Sequence, residues 1–275
     1  RFERGETENS PALAVSLCEP VDAYVNEAFG ASHREHASIV GPPRLLPSAA
    51  GRLLEREYEV LSGLITAPRK PFVAVLGGAK VSDKLGVISK LLERCDTILV
   101  GGAMAFTFLA AQGHPIGDSL VEPDRIDACK ELLATGRVQV PVDVVLAQKI
   151  SATAPTRLVG AAGIPDGWKG LDIGPESAAN FSDVIAGAST VLWNGPMGVF
   201  ELAPFASGTR AVADAVTDRG AVSVIGGGDS AAAIRQFGLA DRVDHVSTGG
   251  GASLELIEQG DLPGLAVLRE GKVAS

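Results

Sequence analysis

The sequence is poor in aromatic residues, in cysteine and in positive charge, and the last two shortages each argue against a class of protein. Aromatic residues make up 5% of the 275 positions, and the three cysteines, Cys18, Cys95 and Cys129, are scattered along the chain. Such a set predicts buried thiols in a reducing compartment rather than a disulfide framework or a metal knuckle. The formal net charge of −9 argues against a nucleic-acid partner. An anionic substrate would therefore need a local cluster of Lys and Arg.

A long hydrophobic run is lacking as well. The longest apolar stretch, residues 98–111, contains glycines and is too short to cross a bilayer, so no membrane partner is expected. No signal peptide is apparent, and we expect a cytoplasmic protein, although a start at Arg1 rather than Met is compatible with a fragment. With 46% hydrophobic and 21% charged residues, the chain is expected to be globular, with one core or two unequal domains.

The rest of the chain is organised around residues 222–234, which predict a strand, a glycine turn and a helix. Residues 222–225 are apolar, glycines 226–228 end the run, and Asp229 and Ser230 begin a helix. Free N–H groups and the dipole at such a helix N-terminus favour phosphate. Asp229 would repel a bare phosphate, so we expect Mg²⁺ between the two. The alternative is a tight strand–helix turn with an Asp N-cap.

Four further apolar runs also end in or lead to glycine, with helical patterns between most of them. They occupy residues 72–76, 97–100, 190–193 and 243–247. This alternation predicts an α/β fold with a parallel, Rossmann-like sheet that is covered by helices on both faces. Ligands of such sheets bind beyond the carboxyl ends of the strands, where glycine allows close approach to the backbone. The glycine loops are therefore expected to line one site.

Two lysines follow the first of these loops. Lys80 comes directly after residues 77–79, and Lys84 falls in the first turn of a helix that we expect to begin at Ser82 and end at Arg94. A cation in that turn works against the helix dipole, so its placement favours a bound anion. Ammonium groups at a glycine-rich helix entry fit a phosphate grip, and the alternative is two solvated lysines.

Other segments have simpler interpretations. Residues 50–67 predict a long helix that presents Leu54, Tyr58, Leu61 and Ile65 on one face. Further helices are expected at residues 104–112, 124–134, 204–216 and 253–258, and a strand at 142–147. The tail beyond residue 260 has no clear period.

Five stretches together resemble the phosphoglycerate kinase family. They are residues 28–34 (Ala-Phe-Gly-Ala-Ser-His-Arg), 76–84 (Leu-Gly-Gly-Ala-Lys-Val-Ser-Asp-Lys), 193–201 (Trp-Asn-Gly-Pro-Met-Gly-Val-Phe-Glu), 225–230 (Ile-Gly-Gly-Gly-Asp-Ser) and 247–253 (Ser-Thr-Gly-Gly-Gly-Ala-Ser). Each is a weak signal alone, but all five follow the family's order. The resemblance implies reversible phosphoryl transfer between ATP and the carboxylate of 3-phosphoglycerate, with Mg²⁺, by a monomeric cytoplasmic enzyme of glycolysis.

The resemblance also implies roles for individual residues. Lys80 would hold the phosphoryl group during transfer, and the backbone at Gly250 would contact its oxygens. Asp229 would bind Mg²⁺. The nucleotide would contact Lys84, Gly170, Asn194, Glu201, Gly227, Gly228, Asp229 and Ser230, with Gly170 near adenine and Glu201 near the ribose. The 3-phosphoglycerate would be bound by Arg1, His33 and Arg34.

The chain departs from the family pattern at two points. Ala103 stands where a third glycine is expected, and most of the N-terminal lobe, with its Asp-x-Asn motif, is not found, so the 3-phosphoglycerate site is expected to be incomplete and the activity of the chain alone is in doubt. The resemblance thus divides the chain into a remnant of the N-terminal lobe (1–49), an interdomain hinge helix (50–67), a nucleotide-binding domain (68–255) and a C-terminal tail (256–275).

Two other functions are compatible with the sequence. Gly226, Gly228 and Ala231 fit a relaxed dinucleotide-binding fingerprint, but an oxidoreductase would need an acid after the next strand, where residues 247–249 are Ser-Thr-Gly. The other alternative is a truncated, catalytically inactive lobe that binds ADP or ATP, and the missing first lobe favours it.

Overall fold

The chain folds into two units, and the second contains the main β-sheet. The structure, a computed structural model, describes residues 1–218 and 220–270. The first unit combines Arg1–Ala67 with the chain from Ser247 onwards, and the second is Pro68–Val246. Within the described ranges, no helix is long and apolar enough to cross a membrane.

Helices and strands alternate through most of the chain. The described α-helices are α1 (Pro11–Cys18), α2 (Ala37–Val40), α3 (Pro42–Leu45), α4 (Arg52–Thr66), α5 (Leu85–Leu92), α6 (Ala105–Ala111), α7 (Ile126–Ala134), α8 (Pro175–Ala186), α9 (Ser207–Thr217), α10 (Gly228–Gln236), α11 (Gly250–Gln259) and α12 (Pro263–Glu270). The strands are β1 (Tyr24–Asn26), β2 (Ser48–Ala50), β3 (Phe72–Leu76), β4 (Thr97–Val100), β5 (Val138–Gln139), β6 (Asp143–Ala147), β7 (Arg157–Gly160), β8 (Lys169–Ile173), β9 (Thr190–Asn194), β10 (Val222–Gly226) and β11 (His245–Val246).

Six parallel strands form the main sheet of the second unit, in the order β11-β10-β9-β3-β4-β5. Strands β3 and β9 are neighbours at its centre, and both are buried along their whole length. Because all six strands run the same way, their carboxyl ends share one edge. The predicted parallel α/β fold is confirmed, and the glycine loops after β3, β4, β9 and β10 meet at that edge.

The core of the second unit reaches this edge through Trp193. The Trp193 side chain on β9 is fully buried and belongs to a cluster with Phe181 of α8 and Val212 of α9. Its ring nitrogen donates a hydrogen bond of 2.8 Å to the carbonyl of Gly195. The core therefore fixes the backbone of the loop that follows β9.

A small antiparallel sheet forms a separate part of the second unit. Strand β6 matches the strand predicted at residues 142–147, but it pairs with β7 and β8 rather than with the main sheet. Phe106 and Leu109 of α6 pack in one cluster with Val144 and Leu146 of β6. This packing joins α6 to the small sheet.

Helix α4 of the first unit is the predicted long helix, with a slightly different buried face. Leu54 and Leu61 are buried as expected, but Tyr58 is exposed and Glu57 is buried. The Glu57 carboxylate accepts the N–H and the hydroxyl of Thr248, at 2.6 and 2.8 Å. This polar contact explains why an acid lies on the buried face. The hinge role of the helix stays a prediction.

The C-terminal part of the chain differs from the expected organisation. The chain from Ser247 groups with the first unit, whereas residues 68–255 were expected to form one nucleotide-binding domain. Residues 271–275 lie outside the described part. The helix predicted at residues 253–258 is α11, and α12 lies in the tail beyond 260, where no period was apparent. Leu262, Leu265 and Val267 are buried there, in an apolar pattern too short to recognise in the sequence.

Candidate functional site

The loop after β3 places its two lysines in different environments. Helix α5 begins at Leu85 rather than at Ser82, because Ser82 and Asp83 belong to a turn that precedes it. Lys84 is buried, and its Nζ donates hydrogen bonds to the backbone carbonyl of Asn194, at 2.8 Å, and to the Asn194 Oδ1. Lys80 is exposed. Lys84 is therefore not a solvated surface lysine. The alternative interpretation, in which both lysines are solvated, is wrong for Lys84.

Burial changes the acidity of Lys84. It lowers the pKa from 10.5 to about 8, while the carboxylates of Asp229 and Asp83 act in the opposite direction. Among the residues that the structure describes, the desolvated ammonium is held by neutral oxygens of Asn194 rather than by a paired carboxylate. A phosphate at this edge would supply the missing negative charge.

Asn194 contributes an unsatisfied donor to the same place. Its Nδ2 is buried and has no hydrogen-bond partner among the described residues. A buried donor without an acceptor costs about 1–3 kcal/mol, so the position suits a ligand with an acceptor oxygen. Gly227 has a φ of 91°, and a Cβ there would lie 3.2 Å from this nitrogen. Glycine is therefore required both by the backbone conformation and by the close approach of Asn194.

Helix α10 begins at Gly228, directly after this glycine loop. Asp229 is exposed in its first turn, whereas Ser230 is buried. The Ser230 hydroxyl accepts the N–H of Gly195 at 2.5 Å. Ser230 therefore holds the loop after β9 in place, and its predicted direct contact with a phosphate stays a prediction.

A cavity of about 780 Å³ opens beside these loops. Gly78 and Asp229 line it at the edge of the main sheet, and Gly170 and Glu201 line it elsewhere. A Cβ at Gly170 would lie 1.9 Å from the ring of Phe106, so glycine allows that ring to pack on β8. The volume lies within the usual range of ligand pockets, about 300–1,000 Å³, and is large enough for a nucleotide.

Sequence reasoning missed several residues of this cavity, including Phe106, Ile150 and Asp172. Asp172 is buried, and its carboxylate accepts the N–H of Gly208 at 2.8 Å. Burial raises the pKa of Asp172 to about 7, against the effect of the N–H groups that it accepts. A single acid within the apolar residues 171–173 was the signal available in the sequence.

Asp229 is the exposed carboxylate in the first turn of α10, the residue that was predicted to bind Mg²⁺. No group of three or more His, Cys, Asp or Glu that could hold a metal occurs in the described ranges. Mg²⁺ is usually held by one or two carboxylates together with phosphate oxygens and water. A single exposed carboxylate beside phosphate-binding loops therefore fits this ion.

The predicted residue Gly250 lies in the first unit, at the first position of α11. Gly249, which precedes it, packs so closely on Gly30 that a Cβ would lie 2.6 Å from the Gly30 Cα. A Cβ at Gly251 would lie 3.4 Å from the Nε2 of His33. The glycines thus bring the N-terminus of α11 against the segment that carries His33.

Arg34 joins this group through its side chain. Its Nε donates to the Nε2 of His33 at 3.1 Å. Burial and the charge of Arg34 lower the pKa of His33, although Glu255 acts to raise it. Arg1 is exposed at the start of the chain. The structure therefore brings together His33, Arg34 and Gly250 of the predicted set.

The second unit defines a class of protein. A parallel sheet with glycine loops at its carboxyl edge, a buried lysine, an unpaired amide donor and a nucleotide-sized cavity is the architecture of an α/β phosphotransferase that uses a nucleotide.

Comparisons with known proteins identify the family. A family model described as phosphoglycerate kinase matches residues 1–260. The chain is 56% identical over 272 residues to the phosphoglycerate kinase of Rubrobacter xylanophilus, an alignment that covers 98% of this chain and 69% of that protein. The solved structure of phosphoglycerate kinase from Coxiella burnetii matches with a TM-score of 0.90 and 40% identity, over 99% of this chain and 72% of that one. The chain belongs to the phosphoglycerate kinase family.

A more distant structure agrees with this assignment. Phosphoglycerate kinase from Pyrococcus horikoshii matches with a TM-score of 0.87 at 32% identity, over 98% of this chain and 71% of that one. Members of this family are phosphotransferases. The alternative function, a dinucleotide-dependent oxidoreductase, is therefore rejected.

Proposed function

We propose that the chain binds ATP or ADP with Mg²⁺ in its second unit, for reversible phosphoryl transfer between ATP and the carboxylate of 3-phosphoglycerate. The observation that carries the proposal is the convergence of Lys84, Asn194 and Gly227 beside a cavity of about 780 Å³. A buried cation, a buried unpaired amide donor and a helix N-terminus all favour phosphate.

Phosphoryl transfer requires positioning and positive charge rather than a covalent nucleophile. We assign the phosphates of the nucleotide to Lys84, to the Asn194 Nδ2 and to the N–H groups of Gly227 and Gly228, where Ser230 fixes the neighbouring loop. Lys80, which directly follows Ala79 in the loop, is exposed and would hold the phosphoryl group during transfer. Gly170 and Glu201 both line the cavity, and we assign Gly170 to the adenine and Glu201 to the ribose.

The metal and the second substrate complete the proposal. Asp229 would hold Mg²⁺, which would supply positive charge to offset that of the phosphates. In the first unit, Arg1, His33, Arg34 and the backbone of Gly250 are assigned to 3-phosphoglycerate, because a helix N-terminus and an arginine both favour an anion.

Three further properties stay predictions. We expect a monomer without nucleic-acid or membrane partners, and a cytoplasmic location. A relative from Volvox carteri, 51% identical over 279 residues, is named as chloroplastic, so location varies among relatives.

The test is the metal dependence of ADP binding, measured by calorimetric titration with Mg²⁺ and with a chelator. Asp229→Asn should reduce the gain in ADP affinity on adding Mg²⁺ by about tenfold, because the carboxylate and the phosphates become ligands of one ion. Binding without metal should be unchanged or stronger, because a repulsive charge is removed.

The matched control is Asp127→Asn, since Asp127 is an exposed acid in the first turn of α7. It should leave the metal dependence unchanged. The structure places Asp229 in the first turn of α10 and Gly227 at the N-cap, so the alternative of an Asp N-cap is wrong. If Asp229 served only the dipole of that helix, the metal dependence would persist in Asp229→Asn. That result, or a folded chain that does not bind MgADP, would contradict the proposal.

A further inference from the structure

Glu122 connects the loop that carries Lys80 to helix α6. Its Oε2 accepts the backbone N–H groups of Val81, at 2.6 Å, and of Ser82, at 3.1 Å. The N–H of Glu122 donates in turn to the Oγ1 of Thr107, at 3.2 Å. Thr107 is buried in α6. A carboxylate from a distant part of the sequence therefore anchors the loop to the interior of the second unit.

Lys80 lies between two fixed segments of backbone. Before it, the N–H of Gly77 donates to the carbonyl of Asn194 at 3.0 Å, and that of Gly78 to the carbonyl of Pro196 at 3.2 Å. After it come the two N–H groups held by Glu122. Ala79 and Lys80 are the exposed residues between these anchors. A long side chain that starts from a fixed backbone loses less freedom when it meets a ligand.

The charge of Glu122 suits this role. Partial burial acts to raise its pKa, but the hydrogen bonds from Ser82 and Val81 and the charge of Lys80 lower the pKa overall. Glu122 is therefore an anion at neutral pH.

We propose that Glu122 is a positioning residue for Lys80, which holds the backbone so that the ammonium group meets the terminal phosphate of ATP. The inference rests on the proposed function, in which Lys80 serves the phosphoryl group in transfer. The inference concerns only the third phosphate of ATP. The two phosphates that ADP also has remain assigned to Lys84, Asn194 and the loop after β10.

Titration calorimetry with MgADP and MgATP tests the inference on the 275-residue chain. Glu122→Ala should weaken MgATP binding about tenfold and leave MgADP within about twofold, because only the third phosphate depends on Lys80. Glu122→Gln should recover much of the loss, since its amide oxygen still accepts an N–H. In a Lys80→Met background, Glu122→Ala should have no further effect on MgATP affinity. If Glu122 had a purely structural role, Glu122→Ala would still weaken MgATP binding in that background.

Asp96→Ala is the matched control. Asp96 accepts the N–H of Phe72 at 2.6 Å, at the opposite end of β3, so its loss should lower stability without changing the ratio of the two affinities. Hydrogen exchange should show that the amides of Val81 and Ser82 lose protection in Glu122→Ala and keep it in the control.

Two results would overturn the inference alone: equal weakening of MgADP and MgATP in Glu122→Ala, or a loss of MgATP affinity that persists in the Lys80→Met background. A folded wild-type chain that binds neither nucleotide would instead overturn the proposed function, and the inference with it.

Discussion

At the residue scale, the site depends on charges that the fold holds away from water. The ammonium group of Lys84 is buried against Asn194, and its pKa is lowered to about 8. The neighbouring Nδ2 of Asn194 lacks a partner among the described residues. Both groups gain if an anion binds, because each then recovers an interaction that it lost on leaving water. The hydrogen bonds of Lys84 to Asn194 offset part of the cost of burial in the free protein, and an anion would offset more of it.

We predict that MgADP binding takes up protons near pH 8. At this pH about half of the free chains carry a neutral Lys84, since the pH equals the lowered pKa. A diphosphate beside the amine would raise its pKa again, so binding should be accompanied by protonation. The binding enthalpy measured at pH 8 should therefore vary with the ionisation enthalpy of the buffer, and the affinity should fall as the pH rises from 7 to about 9.

The variant Lys84→Arg provides the control, because a guanidinium group stays protonated throughout this range. Its binding enthalpy should be independent of the buffer, as should that of the wild type at about pH 6, where Lys84 is already charged. A wild-type enthalpy that is the same in all buffers at pH 8 would contradict proton uptake by Lys84 on binding. In the absence of nucleotide, the lowered pKa makes the contribution of Lys84 to folding more favourable as the pH rises from about 8 to 10.5.

At the element scale, the loop after β9 is the point where several elements meet. The carbonyl of Asn194 accepts the N–H of Gly77 from the loop after β3. Gly195 donates to Ser230 of α10 and accepts from Trp193 in the core. These bonds fix the loop after β9 relative to its neighbours before a ligand binds, which reduces the entropy that binding must overcome.

The contact between β8 and α6 gives a prediction about the cavity. In Gly170→Ala the new Cβ would lie 1.9 Å from the Phe106 ring, so the ring must move, and both residues line the cavity. We expect ADP binding to weaken about tenfold, and pyrophosphate binding to stay within about twofold, because overpacking changes the apolar wall and not the phosphate loops. Calorimetry with both ligands, together with urea unfolding, measures these effects.

Gly163→Ala is the control for this variant, because a Cβ at Gly163 meets nothing within 4 Å. It should bind both ligands like the wild type. If Gly170→Ala weakened the binding of ADP and of pyrophosphate equally, the assignment of the adenine base to the region of Gly170 would be contradicted.

Patterned features were predictable from the sequence, and single contacts were not. Apolar runs that end in glycine predicted the parallel sheet. The motifs that contain Lys84 and Asn194 predicted that the loops carrying these two residues lie at one site. The start of α5 was predicted too early, because the N–H groups at that turn bond to Glu122, 41 residues away in the sequence. Glu122 and Asp172 have no period and no motif of their own. Their roles follow only from tertiary contacts.

At the scale of the whole molecule, the residues assigned to the two substrates are divided between the two units of the chain. The second unit carries the residues assigned to the nucleotide, and the first carries His33, Arg34 and Gly250. The chain aligns with 69% of the length of its relative from Rubrobacter xylanophilus. The second unit has its own sheet and its own apolar core, so we expect it to bind nucleotide by itself.

The central claim is that the nucleotide phosphates bind at the carboxyl edge of β3, β9 and β10. A crystal structure of the chain with MgADP tests it most directly. The account predicts the diphosphate within hydrogen-bonding distance of Lys84 and of the N–H groups of Gly227 and Gly228, with Mg²⁺ on Asp229 and the base beside Gly170. A diphosphate bound at another edge of the sheet, with Lys84 still held only by Asn194, would contradict it.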